Sequence, residues 1–284
     1  MTQIAFPGLG IDTFSINPVA FEIFGLEVRW YGLIIVLGIV LAFSYASYRS
    51  KKEGFGGDDM LDLFIYTVLS GVVGARLYYV LTSLDHYDSF WEVFEIWNGG
   101  LGIYGGIIGG AIAIFAVCKI KKKNIIKAFD MIAPGVMLGQ LIGRWGNFCN
   151  GEAFGDITKF EFFGKVFATP GAAKLPFIME VNSYASRYQT VFAHPTFFYE
   201  SLWNLIGFII VNIFYSKKKF DGQIVFMYIA WYGFGRMFIE GLRSDSLYVG
   251  PIKISQLIGL VCAIAGSVAI IYMLIKKKKE NKNG

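Results

Sequence analysis

This chain carries little of what metal or redox chemistry uses. Its 284 residues include three cysteines and two histidines. Cys118, Cys149 and Cys262 lie far apart, with no CxxC pair and no metal-ligand spacing. His86 and His194 are too few to complete a zinc site. No metal and no cofactor is therefore expected. Charge is sparse at 17%, and the net charge of +5 comes from basic residues clustered beside apolar runs, which excludes nucleic acid as the partner. There is no Walker sequence to cradle a nucleotide and no Gly-x-Ser-x-Gly elbow to carry a hydrolase serine. The first twenty residues lack a basic start followed by an apolar core, so no cleavable signal is expected.

Apolar surface is what the chain has in excess. It is 55% hydrophobic and 17% aromatic, with a mean hydropathy of +0.52, which points to a polytopic membrane protein. A span needs roughly 20 apolar residues, and segments at about 29–48, 61–84, 101–118, 128–145, 196–215, 223–240 and 255–275 qualify. Lys and Arg mark one side of these seven spans. Arg49, Lys51 and Lys52 follow the first, and Lys119, Lys121–Lys123 and Lys127 the third. Lys217–Lys219 follow the fifth, and Lys276–Lys279 with Lys282 the seventh. The positive-inside rule makes that side cytoplasmic, with the N-terminus outside and the C-terminus inside. The expected fold is an all-α polytopic membrane protein of one integral membrane domain, residues 1–284. Residues 150–193 form an extracytoplasmic insertion, with some β character at Glu180–Val191.

In this arrangement polar residues from six spans fall near the outer leaflet: Tyr31, Arg76, Tyr104, Arg144 with Asn147, Asn150 and Glu152, then His194, Tyr199 and Glu200, then Arg236, Glu240 and Arg243. Polar side chains within spans usually face a bundle interior or a water-filled cavity. Arg144 stands out because it follows the apolar run Met131–Ile142 inside a block rich in Gly, Asn and Glu. The plain alternative is a snorkelling helix-end arginine. Arg236, Glu240 and Arg243 share one helical face, where Glu240 can hold both arginines, with Arg243 nearer the water. A salt-bridge ladder capping the helix is the plain alternative there. His194 precedes Pro195, a favoured first helical residue, and could merely bond a loop. Gly135, Gly139 and Gly143 form a small-residue face, as do Gly102, Gly106 and Gly110. Gly100–Gly105 also spells G-x-G-x-x-G, but no βαβ unit surrounds it, so no dinucleotide site is expected. Arginines at headgroup depth suit a phosphate, which Arg binds through two parallel bonds. The residues therefore point to a pocket for an anionic phospholipid headgroup.

Five blocks carry a family resemblance: Arg29-Trp30-Tyr31-Gly32, Gly99–Gly106, Gly143–Gly155, His194–Glu200 and Arg236–Arg243. They resemble, in the same order, the bacterial prolipoprotein diacylglyceryl transferases, whose signature is the Gly143–Gly155 block. That resemblance implies an enzyme of the bacterial cytoplasmic membrane with its active site toward the outer leaflet. It would move a diacylglyceryl group from phosphatidylglycerol to the lipobox cysteine thiol of preprolipoprotein signal peptides, forming a thioether and releasing glycerol phosphate. It implies catalytic positions at Arg144, Arg236, Glu240, Tyr104 and His194. It implies lipid contacts at Arg144, Asn147, Asn150, Glu152, Tyr31, Arg236 and Arg243. Many members have His where this chain has Tyr104, so the proton acceptor stays open between His194 and Glu240. The competing classes are a phospholipid transporter or flippase, a membrane acyltransferase with Cys149 as nucleophile, and a lipid-binding scaffold without chemistry.

Overall fold

The computed structural model describes residues 1–84, 87, 89–96 and 99–283; His86 lies outside them. Seven helices occur among the described residues: α1 (Trp30–Glu53), α2 (Gly57–Thr82), α3 (Ile103–Ile120), α4 (Ile125–Asn150), α5 (Thr196–Tyr215), α6 (Gln223–Ile239) and α7 (Ile254–Asn283). They fall on the seven apolar segments read from the sequence. Six are long and apolar enough to cross a membrane. The exception is α6, whose 17 residues reach about 26 Å, short of a hydrocarbon core of about 30 Å.

The expectation of an all-α fold needs correction. Short strands precede α1 and lie between α4 and α5 and between α6 and α7: β1 (Thr2–Phe6), β2 (Ile11–Ile16), β3 (Val19–Ile23), β4 (Leu26–Arg29), β5 (Gly155–Asp156), β6 (Lys159–Phe162), β7 (Lys165–Ala168), β8 (Met179–Asn182), β9 (Val191–His194), β10 (Tyr248–Val249) and β11 (Ile252–Lys253). The β character expected at Glu180–Val191 is there, in β8 and β9. The N-terminal strands had not been anticipated.

The chain divides into two compact units. The first holds Met1–Ala42 and Ile132–Gly284. Its main sheet has the order β2-β1-β8-β9-β5, and Ile4 lies opposite Val181. Ile4, Met179, Val181, Ala193 and Phe197 bury one face, and Phe148 and Phe154 pack against them. This small core ties the N-terminal strand to the residue 150–193 insertion and to the start of α5. The C-terminal end of α4 is shaped by Gly151, whose φ of +60° is one that glycine adopts without strain. The Gly151 N–H bonds the Phe148 carbonyl and the Glu152 N–H bonds the Asn147 carbonyl, a Schellman closure. That turn brings Glu152 back beside its own helix. Within this unit α4 packs on α1 at Gly135, where a Cβ would stand 2.7 Å from the Ala42 carbonyl oxygen.

The second unit is Phe43–Met131. Here α2 and α3 meet through backbone contact. The tightest approach is made by Gly105 and Gly109, where a Cβ would collide with the Gly74 and Ser70 carbonyls, rather than by the expected Gly102-Gly106-Gly110 stripe. At one end, Lys123 pairs with Asp59 at 2.8 Å and Lys121 with Asp62 at 2.5 Å. At the other, Arg76 donates to the carbonyls of Glu92, Val93, Gly99 and Gly100 at 2.6–3.0 Å.

Candidate functional site

Within the first unit, aromatic and hydroxyl contacts set three helices in register. Trp145 on α4 donates from Nε1 to Ser201 Oγ (3.1 Å), and Ser201 donates to the Leu141 carbonyl (3.0 Å), which locks α4 to α5. Trp203 on α5 stacks on Trp231 of α6 with ring centroids 4.2 Å apart. Each indole N–H bonds the other residue's carbonyl at 2.9 Å, which locks α5 to α6. Glu200 immediately precedes Ser201 on α5, at the N-terminal side of both locks.

Three guanidinium groups converge on Glu200. Arg144 Nη2 lies 2.5 Å from its Oε2, Arg243 Nη1 lies 3.1 Å from Oε1, and Arg236 Nη1 donates to both oxygens at 3.3 and 3.4 Å. Glu240 lies 2.7 Å from Arg236 Nη2 and only at 4.0 Å from Arg243 Nε. Arg243 also grips Asp245 through two bonds of 3.0 and 2.8 Å. Three cations thus meet three carboxylates and the cluster is neutral as built. Buried charges of this kind persist only when paired and hydrogen-bonded. Burial alone would raise the Asp245 carboxyl, but the Arg243 contacts outweigh it and hold it below its ordinary value.

The three arginines are not equivalent. The Arg144 side chain is 25% exposed, against 15% for Arg236 and 10% for Arg243. Arg144 Nη1 reaches Asn147 Oδ1 at 3.5 Å, and among the described residues its Nε has no hydrogen-bond acceptor. Asn147 and Asn150 both donate to Glu152 Oε1, at 3.0 and 3.2 Å. Asn150 Oδ1 is buried without a partner among the described residues. Asn150 and Glu152 also line a cavity of about 490 Å³ with Thr2, Glu27, Arg29 and Tyr188.

A second layer holds the turn after α6. Lys253 is almost fully buried and donates to the Glu240 carbonyl at 3.1 Å and the Arg243 carbonyl at 2.7 Å. Its Nζ lies 3.6 Å from Glu161, which also accepts from Tyr248 Oη at 2.7 Å. Burial pushes the Lys253 pKa down despite these acidic neighbours. The Gly241 and Leu242 carbonyls accept from Glu161 and Asp156 of the insertion. The insertion therefore holds the segment that carries Glu240 and Arg243.

Residues 18–272 match the prolipoprotein diacylglyceryl transferase family. The chain is 42% identical over 268 residues to phosphatidylglycerol–prolipoprotein diacylglyceryl transferase 1 of Clostridium perfringens, covering 94% of this chain and 98% of that protein. To the phosphatidylglycerol–prolipoprotein diacylglyceryl transferase of Lysinibacillus sphaericus it is 39% identical over 270 residues, with 94% and 96% covered. For that of Clostridioides difficile the values are 40% over 264 residues, with 93% and 97% covered.

The chain belongs to this family.

Family membership and the apolar helices together make it a multi-pass membrane protein. The Gly143–Gly155 block divides between the last two turns of α4, which carry Arg144, Asn147 and Asn150, and the Schellman turn, which carries Glu152. The helix thus runs five residues past the end expected from hydropathy. Tyr31 is the second residue of α1 and lies against α4 at Gly146, where a Cβ would stand 2.7 Å from its ring. His194 ends β9, buried, with Nδ1 3.1 Å from Tyr199 Oη. Burial lowers its pKa and favours the neutral imidazole. His194 also lines a cavity of about 470 Å³ with Phe160, Phe167 and Leu242, apart from the bonds that join the arginines. Tyr104 belongs to the second unit, its ring 5.9 Å from that of Tyr78.

Two sequence readings change. Arg243 is the most enclosed of the three arginines and not the one nearest water, because Asp245 and Glu200 hold it on both sides. Glu200, singled out only as one polar residue among many, is the hub in place of Glu240. Its i+4 partner Asn204 bonds the Glu200 main-chain carbonyl at 2.8 Å, so that spacing gave no sign of the three arginines arriving from other helices.

Proposed function

We propose that this chain, whose relatives are named for diacylglyceryl transfer from phosphatidylglycerol to prolipoprotein, delivers the diacylglyceryl group to the lipobox cysteine thiol of a preprolipoprotein. The sulfur attacks the glycerol carbon bearing the phosphate. A C–S bond forms, the C–O bond breaks, and its electron pair leaves on glycerol phosphate. The thiol proton passes to a base, since the thiolate is the nucleophile.

The observation that carries this reading is the half-committed state of Arg144. One edge of its guanidinium is fixed by Glu200, which orients it, and its Nε has no acceptor among the described residues, in a side chain more exposed than those of Arg236 and Arg243. It is the group suited to the lipid phosphate, whose charge doubles as the C–O bond breaks. Fixed donors aimed at a growing charge in a dry site are worth far more than in water. Arg236 and Arg243 share Glu200 with it and hold that carboxylate in place. The unpaired Asn150 Oδ1 suits a hydroxyl of the glycerol headgroup. Asn147, Glu152 and Tyr31 complete the lipid side.

For the thiol proton the proposal names the two sequence candidates. Glu240 is committed to Arg236, whereas neutral His194 is suited to accept a proton. Tyr104 is proposed as a hydrogen-bond donor to substrate. The site opens to the outer leaflet of the bacterial cytoplasmic membrane, in a seven-span chain whose N-terminus and residues 150–193 lie outside. The Lys and Arg asymmetry supports that orientation.

Purified protein, labelled phosphatidylglycerol and a lipobox peptide test the whole reading. Thioether-linked diacylglyceryl peptide is the expected product. Folded protein that yields none would overturn it.

A further inference from the structure

We propose that the hairpin formed by β3 and β4 is a membrane-docking element, its tip Ile23-Phe24-Gly25-Leu26 seated in the interfacial layer of the bilayer that α1 enters. The inference rests on the multi-pass membrane placement and not on the transferase reading.

The two strands form a sheet of their own. The register pairs Phe21 with Val28, Glu22 with Glu27 and Ile23 with Leu26. Residues directly opposite one another share a face, so Phe21, Ile23, Leu26 and Val28 make one apolar face and Glu22 and Glu27 mark the other. The two faces have different surroundings. Val19, Glu27 and Arg29 line the cavity that Asn150 and Glu152 also line. The apolar face meets nothing comparable: Phe21, Ile23 and Leu26 are all exposed.

The turn sharpens the point. Phe24 and Gly25 have φ of +50° and +79°, the backbone of a two-residue hairpin turn that normally takes Asn-Gly or Asp-Gly. A phenyl group here is held in an unfavourable backbone region and is 101% exposed. In water this combination gains nothing, and an isolated two-stranded hairpin is marginal at best.

What covers the face follows from chain continuity. β4 ends at Arg29 and α1 begins at Trp30 with no linker. Trp30 and Tyr31 are exposed at that junction, the residue types that anchor a span at the headgroup level. Four residues at about 3.3 Å each put the tip within about 13 Å of the start of the span, on the scale of the interfacial layer. An amphipathic element there, apolar on one side and polar on the other, where Glu27 and Arg29 line the cavity, is a surface for lipid.

The test places a fluorophore at the tip. In a background with Cys118→Ala, Cys149→Ala and Cys262→Ala, bimane is attached to Phe24→Cys or, on the acidic face, to Glu22→Cys. The protein is reconstituted in vesicles of phosphatidylcholine and phosphatidylglycerol. Spin-labelled phosphatidylcholine should remove most of the emission at position 24 and little at position 22, and aqueous iodide should do the reverse. Quenching of position 24 by iodide as at position 22, or protection from both quenchers, would overturn the proposal. A second measurement needs no substitution. In hydroxyl-radical footprinting of the native chain in the same vesicles, Phe24 should be protected relative to Tyr184, which is 82% exposed on the main sheet side. Equal oxidation of the two would likewise overturn it.

Discussion

Arg76 and Arg144 look alike in the sequence, each an arginine near the same end of an apolar span, and the two units use them in opposite ways. Arg76 gives its guanidinium to four backbone carbonyls of the residue 92–100 stretch. All four of these acceptors are backbone carbonyls, and it has no carboxylate in that set. Arg144 meets a carboxylate shared with two other arginines and keeps part of its donor fork open. The difference teaches that a costly arginine is explained by what its N–H groups meet. An arginine bound wholly by carbonyls is a structural pin, whereas one oriented by a carboxylate and left partly open is placed to receive an anion.

The largest expected effect comes from removing the hub of the arginine cluster. Glu200→Gln leaves three enclosed guanidiniums short of one counter-charge, and breaking a buried pair from one side costs about 3–5 kcal/mol. Thermal unfolding in detergent should show a large fall in Tm with loss of transfer. An unchanged Tm would mean that the arginines do not depend on Glu200. Arg76→Met should come next: it strips donors from four carbonyls that water can partly re-satisfy, so a loss on the order of 1–3 kcal/mol is expected. Membrane abundance and Tm should drop while turnover per folded molecule stays close to that of the unsubstituted chain. A selective loss of turnover at normal abundance would erase the contrast between the two arginines.

Lys253→Met tests the second layer. It removes the donor shared by the Glu240 and Arg243 carbonyls and leaves Glu161 with Tyr248 and Lys159. A loss of about 1–3 kcal/mol is expected, with kcat falling more than KM rises, because the arginines lose their aim rather than their charge. The smallest effect is on pH dependence. The Asp245 and Glu161 carboxyls are held below their ordinary values, in both cases because cation and hydrogen-bond contacts outweigh burial. A carboxyl with a depressed folded pKa gives stability that is present above its unfolded pKa of about 4 and lost as pH falls through the folded value. Tm should therefore be level near neutrality and fall below about pH 4, and Asp245→Asn should flatten that fall. An acid limb of the same slope in the variant would remove Asp245 from the account.

The helices were legible because apolar runs of this length have one common solution, and each helix lies close to its predicted segment. Of the Arg236-Glu240-Arg243 face only the i+4 pair Arg236–Glu240 was legible, because α6 ends at Ile239 and Arg243 lies in the turn beyond it, 4.0 Å from Glu240. The N-terminal strands were not, since Ile4 finds Val181 far along the chain and nothing local announces that pairing. Glu200 as a hub was hidden for the same reason: its partners come from α4 and from α6 with its following turn, brought together by the Trp145–Ser201 and Trp203–Trp231 locks. The close α2–α3 approach was misplaced because Gly102, Gly105, Gly106, Gly109 and Gly110 offer several small-residue registers. Only the packing against Ser70 and Gly74 selects among them.

The central claim is that Arg144 receives the lipid phosphate through a planar fork that Glu200 has already oriented. Its most direct test is Arg144→Lys, which keeps the charge and removes the fork. Diacylglyceryl transfer from phosphatidylglycerol to a lipobox peptide is measured per folded molecule, beside the Tm of the same preparation. The account predicts folded protein whose turnover is lower by about 10²–10³-fold. A folded Arg144→Lys enzyme with near-normal turnover would contradict it.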